Sequence, residues 1–221
     1  MVKIETSPEF EAVWPHFACA AIQCNVEIED SSAELIEEIA QQCGSMQSQL
    51  KSDDIHKNIP ILDTRKAYKA LGKEPSRYRP SAEALFRRVL NGKGLYQVNN
   101  VVDLLNLVSI STGFSIGGWD ADQIEGETIT LGIGQKDEPY AAIGRGQMNI
   151  EFFPTFRDSK GAFGTPTSDS ERTMIKPTTK NFLMLFYGFG GKDGLSEAMM
   201  QALDLLESYG NSNRFQTQSP L

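Results

Sequence analysis

Residues 95–113 read LYQVNNVVDLLNLVSISTG. The apolar residues make a buried-looking helix from roughly Asn100 to Ser111, yet Asn99, Asn100, Asp103 and Asn106 are set into it. Asparagine is a poor helix former, and its amide is costly to desolvate unless it finds partners. Each of these groups therefore needs a job: a cap, a tie to the backbone, or a polar wall facing a ligand.

Working outward, SAEALFRRVLNGKG (81–94) is a helix capped by Ser81, with an apolar stripe of Ala82, Leu85, Phe86, Val89 and Leu90 and a stop at Gly92. Arg87 and Arg88 leave it on the polar side. Upstream, EPSRYRP is extended, because a residue before proline is pushed out of the helical region. IPILDTRKAYKALG is a short helix ended by Gly72. SAELIEEIAQQCGSMQSQL is a long one capped by Ser31 or Ser32. MVKIETS and FACAAIQCNVEIE read as strands. After Gly113 come short strands and glycine turns, an irregular loop AFGTPTSDSERT, the strand TTKNFLMLFYGFG and a last helix LSEAMMQALDLLESYG. NSNRFQTQSPL reads as a frayed tail. With no repeat and no long linker, one α+β domain is the simplest account. Its parts are an N-terminal α/β portion (1–75), a core (76–210) and a flexible tail (211–221).

The chain has 221 residues, 40% of them hydrophobic and 23% charged, which suits an ordinary globular protein. No run of eighteen apolar residues is present, and the N-terminus lacks a secretory pattern, so a cytoplasmic, non-membrane protein is expected. Three cysteines without CxxC spacing and two isolated histidines give no reason to expect a disulfide framework, a metal or another cofactor. Net charge is −8, yet the segment from Arg65 to Lys93 carries nine basic residues against Glu74 and Glu83. Such a stripe on an acidic body is either a solvated helix face or a grip on phosphates, and charge alone does not decide. The glycine set GIGQKDEPYAAIGRG lacks the Gly-Lys-Ser/Thr ending of a phosphate loop and opens no helix. Neither a Gly-x-Ser-x-Gly elbow nor a His–Cys pair is present, which argues against a triad hydrolase.

Three anchors, in order, resemble the B3/B4 editing domain of the phenylalanyl-tRNA synthetase β subunit, and most closely its stand-alone relatives. They are SAEALFRRVLNGKGLYQVNNVVDLLNLV, FSIGGWDADQI and TSDSERTMIKPTTKNFLML. The resemblance implies an α+β fold around a mixed β-sheet flanked by helices. It also implies a pocket that receives a misattached aminoacyl group at the end of a tRNA. Asn100 would face that pocket, with Asn106, Asp169 and Ser170 arranging ester and water; Asp169 would anchor an α-ammonium. Asn99 would cap the helix at the pocket edge. Thr165, Thr167, Ser168 and Thr173 would contribute hydroxyls, and Gly161 and Gly164 would let backbone approach the ligand. The same Ser168-x-x-Glu171 spacing is also a helix capping box.

Two departures matter. The family's histidine before this segment is Gly117 here, and its tyrosine-reading glutamate is Leu185. An apolar replacement cannot reject or select a hydroxyl strongly, so tyrosine specificity does not carry over. Trp119, Phe163 and Leu185 would instead make an apolar pocket. Arg77, Arg79, Arg87, Arg88 and Lys93 would hold tRNA phosphates. Two functions follow: a deacylase acting in trans on aminoacyl-tRNA, or a non-catalytic module binding RNA or an amino acid. A synthetase partner is a third, requiring an exposed apolar patch. The discriminator is whether a pocket between the Asn100 helix and the Asp169 loop opens toward Arg87 and Arg88.

Overall fold

The computed structural model describes residues 1–218. Its centre is strand β9 (Asn181–Gly188), NFLMLFYG, buried along nearly its whole length. Because side chains alternate across a strand, Phe182, Met184 and Phe186 face one way and Leu183, Leu185 and Tyr187 the other. Both sets are buried, each in a different apolar cluster. That is why the strand shows no polar alternation.

Antiparallel partners flank β9: β2 (Ala18–Asn25) on one side and β3 (Ile116–Asp120) on the other. Strand β10 (Asn213–Gln218) completes this sheet outside β2. The stretch expected as a frayed tail is therefore paired over 213–218; residues 219–221 lie outside the described residues. A second four-stranded sheet runs β1 (Lys3–Thr6), β4 (Thr128–Ile133), β7 (Pro154–Asp158), β8 (Gly161–Gly164). It is mixed, with β1 parallel to β4 and the other pairs antiparallel. A small hairpin pairs β5 (Ala141–Ala142) with β6 (Gly146–Gln147). The α+β class holds, with two larger sheets rather than one.

Helices cover the outer face of the β9 sheet. They include α2 (Ala33–Gln49), α4 (Ser81–Leu90), α5 (Asn100–Thr112) and α6 (Leu195–Tyr209), whose apolar faces join Ala20, Ile22, Met184 and Phe186 in one cluster. Between the sheets lies the second cluster, with Ile129, Leu131, Phe156, Phe163, Leu183 and Leu185. The order is helices, sheet, sheet. Each fully buried Leu or Phe in these layers contributes about 1.5–3 kcal/mol relative to exposure.

Helix boundaries follow the caps. Ser32 caps α2, its Oγ accepting from the Leu35 N–H. Asn58 caps α3 (Ile59–Leu71), which ends at Gly72 in the left-handed region. Ser81 is not a cap but the first residue of α4; Pro80 takes the cap position, and the Ser81 N–H donates to Pro166 O at 2.7 Å. A short helix α1 (Pro8–Val13), capped by Ser7, was not expected. Part of the loop expected at 162–173 is strand β8. Among the described residues, no helix is long and apolar enough to cross a membrane.

Candidate functional site

Helix α5 answers its own puzzle one residue at a time. Asn99 is the N-cap, accepting from the Val102 N–H at 2.9 Å. Asn100 is buried and its amide is fully used: Nδ2 donates to Glu27 O and Tyr209 O, and Oδ1 accepts from the Glu29 N–H. It ties the ends of β2 and α6 to the start of α5, and does not face a pocket. Asp103 accepts from the Ser31 hydroxyl at 2.6 Å and the Val98 N–H at 2.9 Å, fixing both approaches to the helix. Asn106 differs: among the described residues its side chain makes no hydrogen bond, and it lines a cleft.

That cleft, about 520 Å³, lies between α4, the start of α5, the β5–β6 hairpin and the 167–168 turn. Arg87, Arg88, Lys93 and Arg145 line it, and among the described residues no carboxylate does. Thr167 and Ser168 form part of the wall, and Asn106 is on the α5 side. The opening therefore lies on the Arg87/Arg88 face. Tyr96, Val98 and Ile143, exposed at 56%, 58% and 42%, supply apolar patches at the same cleft. The Arg88 guanidinium sits 3.7 Å from the Tyr96 ring centroid, a cation–π contact that holds both flat groups in place.

The remaining basic residues of the expected stripe disperse. Glu83, fully buried, accepts from Arg65 at 2.7 Å and from Arg87 Nε at 2.9 Å, so Arg87 is partly a structural partner. Lys73 is buried, donating to the carbonyls of Asn149 and Glu151. Arg77 lies 5.2 Å from the Tyr78 ring centroid, and both Arg77 and Arg79 are exposed outside the cleft lining. Arg145 was missed because it stands in a glycine-rich stretch dismissed as a phosphate loop. Gly144 and Gly146, both at positive φ, turn the hairpin that carries it. Tyr96 was missed because it lies between helices, where no periodicity marks it.

The loop residues expected in the pocket take other roles. Thr165 Oγ1 bonds to Ser168 O and accepts from the Thr167 and Ser168 N–H groups, shaping the turn. Thr167 is buried and bonded to the Tyr68 hydroxyl at 2.8 Å, although it still borders the cleft. Ser170 caps a single 3-10 turn, its Oγ accepting from the Arg172 N–H. The Ser168–Glu171 capping box is therefore not formed. Thr173 is fully buried with no partner for its hydroxyl among the described residues.

Asp169 turns inward. The residue is half-buried, but its Oδ1 is sealed from solvent. Burial pushes the carboxyl up to about 7, against the opposing pull of the Trp119 indole N–H and the backbone N–H groups of Gly118 and Thr165. Burial and this neighbouring carboxyl also hold the Tyr187 phenol well above its ordinary range. Trp119 is fully buried, its ring centroid 5.0 Å from that of Phe163 in an edge contact. A Cβ at either Gly117 or Gly164 would run into its ring. Those glycines thus make room for the indole, not for a ligand. Leu185 is likewise core, packed between the sheets. Of the residues expected to arrange ester and water, only Asn106 lines the cleft; Asn100, Asp169 and Ser170 do not.

Among curated proteins no sequence matches the chain significantly. By structure it is similar to an N-terminal fragment of the phenylalanyl-tRNA synthetase β subunit from Pyrococcus horikoshii, with TM-score 0.51 and 16% identity. The match covers 97% of this chain and 50% of that fragment, so the chain spans half its length. At that identity the likeness concerns the fold alone. The family model for the B3/4 domain matches residues 63–208, a range that holds α4, α5 and the hairpin around the cleft. The chain belongs to the B3/4 domain family.

Proposed function

We propose that this protein binds the acceptor end of a tRNA, charged with an amino acid, in the cleft between α4 and the β5–β6 hairpin. One observation carries the reading: four cationic side chains converge on a cleft that no carboxylate lines among the described residues, on a protein whose net charge is −8. Local positive charge on an acidic body attracts a polyanion to one place and repels it elsewhere. Phosphate contacts from Arg88, Lys93 and Arg145 would position the RNA without reading its sequence. Asn106 and Ser168 then offer uncommitted donors and acceptors to a ribose or an ester carbonyl.

Binding of labelled tRNA across a salt series tests this. Lys93→Ala and Arg145→Ala should each weaken binding and lower the slope of log affinity against log salt by about 0.7–0.9 per contact. No binding at low salt, or an unchanged slope, sinks the proposal. Arg87→Ala is a poor probe, since it also strips a partner from buried Glu83.

A second reading, hydrolysis of the aminoacyl ester in trans, is favoured by Asn106 and Ser168 lying at one cleft beside the cations. Such an ester is already activated, so positioning it and a water would suffice. Incubation with tRNAs charged with each amino acid tests this, with Asn106→Ala as control. No release at all removes hydrolysis and leaves binding, whereas release that survives the variant takes Asn106 out of the reaction.

A further inference from the structure

Tyr96 lines two cavities. One is the cationic cleft; the other, about 340 Å³, runs along α2 between Ile36, Ile39, Ala40, Gly44 and the loop carrying Gly92 and Gly94. Among the described residues, Tyr96 is the one common to both linings. Arg88 covers the ring from the cleft side, since it lines the cleft and not the α2 groove. The groove floor is apolar, and Gln47 and Gln97 stand at it with amide groups. Gln47 is fixed by donating to Val89 O at 2.7 Å.

Gly44 is the telling residue. It sits inside α2 at ordinary helical φ, where glycine costs stability relative to alanine. A Cβ there would meet nothing within 4 Å, so no close packing within the chain demands glycine. A larger side chain would instead project into the groove.

We infer that the α2 groove is a subsite for one unpaired nucleobase of the RNA whose phosphates lie on Arg88, Lys93 and Arg145. This rests on the proposed RNA-binding reading and deepens it. A mostly apolar groove beside an exposed tyrosine, one ring away from a cationic cleft, matches the chemistry of a nucleotide: base on one side, phosphate on the other. Base–aromatic stacking tolerates any base because every base has a π face. The subsite therefore reads single-strandedness rather than sequence.

The test compares a blunt RNA hairpin with the same hairpin bearing a four-nucleotide single-stranded 3′ overhang. The overhang should raise affinity for the unaltered protein on the order of tenfold. Gly44→Leu fills the groove from a helical position with free space and should remove that gain while leaving blunt-hairpin affinity unchanged. Tyr96→Leu should remove the same gain by a different route, guarding against an unfolded Gly44 variant. A gain that survives both substitutions overturns the inference while the cleft reading stands, provided Lys93→Ala and Arg145→Ala still weaken both hairpins. Failure of both hairpins to bind at low salt overturns both.

Discussion

The Trp119 indole N–H and the Asp169 carboxyl lie together in the core between the sheets, and neither Nε1 nor Oδ1 completes a hydrogen bond of normal geometry. Burial pushes the Asp169 carboxyl up to about 7, whereas an unfolded aspartate titrates near ~3.9. From about pH 4 to pH 7 the unfolded chain has given up this proton and the folded chain still holds it. The Asp169 contribution to stability therefore falls as pH rises through that window and is constant above it. About three pH units at ~1.36 kcal/mol each is on the order of 4 kcal/mol. Asp169→Asn keeps the shape and removes the titration. Urea unfolding should show the variant more stable than the parent by a few kcal/mol at pH 8, the difference narrowing toward pH 4. Equal midpoints at pH 8 would mean that the carboxyl is not held in the core.

Gly117→Ala should destabilise. The added methyl would run into the Trp119 ring, and overpacking a filled core costs about 1–3 kcal/mol. Trp119→Leu alone opens space and costs several kcal/mol of its own. If the clash is the cause, the double variant costs less than the two single ones together, which thermal unfolding of all four proteins measures. Strict additivity would show that Gly117 is needed for some other reason.

Buried Glu83 holds Arg65 and Arg87 at once. Glu83→Ala leaves two guanidinium groups without that shared partner and, since both reach solvent in part, should cost about 1.5–3 kcal/mol, the range for a lost hydrogen bond to a charged group. Lys93→Ala, at the cleft with no ion pair among the described residues, should stay within about 0.5 kcal/mol of the parent. Equal losses in chemical denaturation would mean that Glu83 is not the anchor of α4.

The legible parts of the sequence were those governed by local chemistry. Asn99 and Gly72 mark helix ends as expected, and of the two serines before α2 it is Ser32 that caps it. Strand β9 announced itself as a continuous apolar run. Side-chain direction was not legible. Asp169 sits in a polar, glycine-flanked loop that looks exposed, yet its carboxyl turns into an aromatic core because β8 and the 3-10 turn after it fix the chain on either side. Trp119 fills the space left by Gly117 and Gly164, a relation between positions forty-seven residues apart that no local pattern encodes. Arg145 reaches the cleft only because it stands in the three-residue loop of the β5–β6 hairpin, which borders the cleft opposite α4. Strand β10 looked like a tail because its residues are polar, as edge strands often are.

Asn100 and Asn106 stand less than two helical turns apart on α5 and should fail in opposite ways. Removing the Asn100 side chain takes the partner away from the Glu27 and Tyr209 carbonyls and the Glu29 N–H, in a site that is only partly buried. Three lost hydrogen bonds at about 0.5–1.5 kcal/mol each put the loss for Asn100→Ala at about 2–4 kcal/mol of stability. Asn100→Asp cannot donate to either carbonyl and should fare little better. Asn106 has no partner to lose among the described residues, so Asn106→Ala should unfold within about 0.5 kcal/mol of the parent. Its effect belongs in the cleft, as a several-fold weaker grip on RNA with the salt slope unchanged, since an amide neutralises no phosphate. A well-folded Asn100→Ala protein that has lost RNA binding, beside an Asn106→Ala protein that has not, would move the site from the α4 cleft to the junction of β2 and α6 at the start of α5.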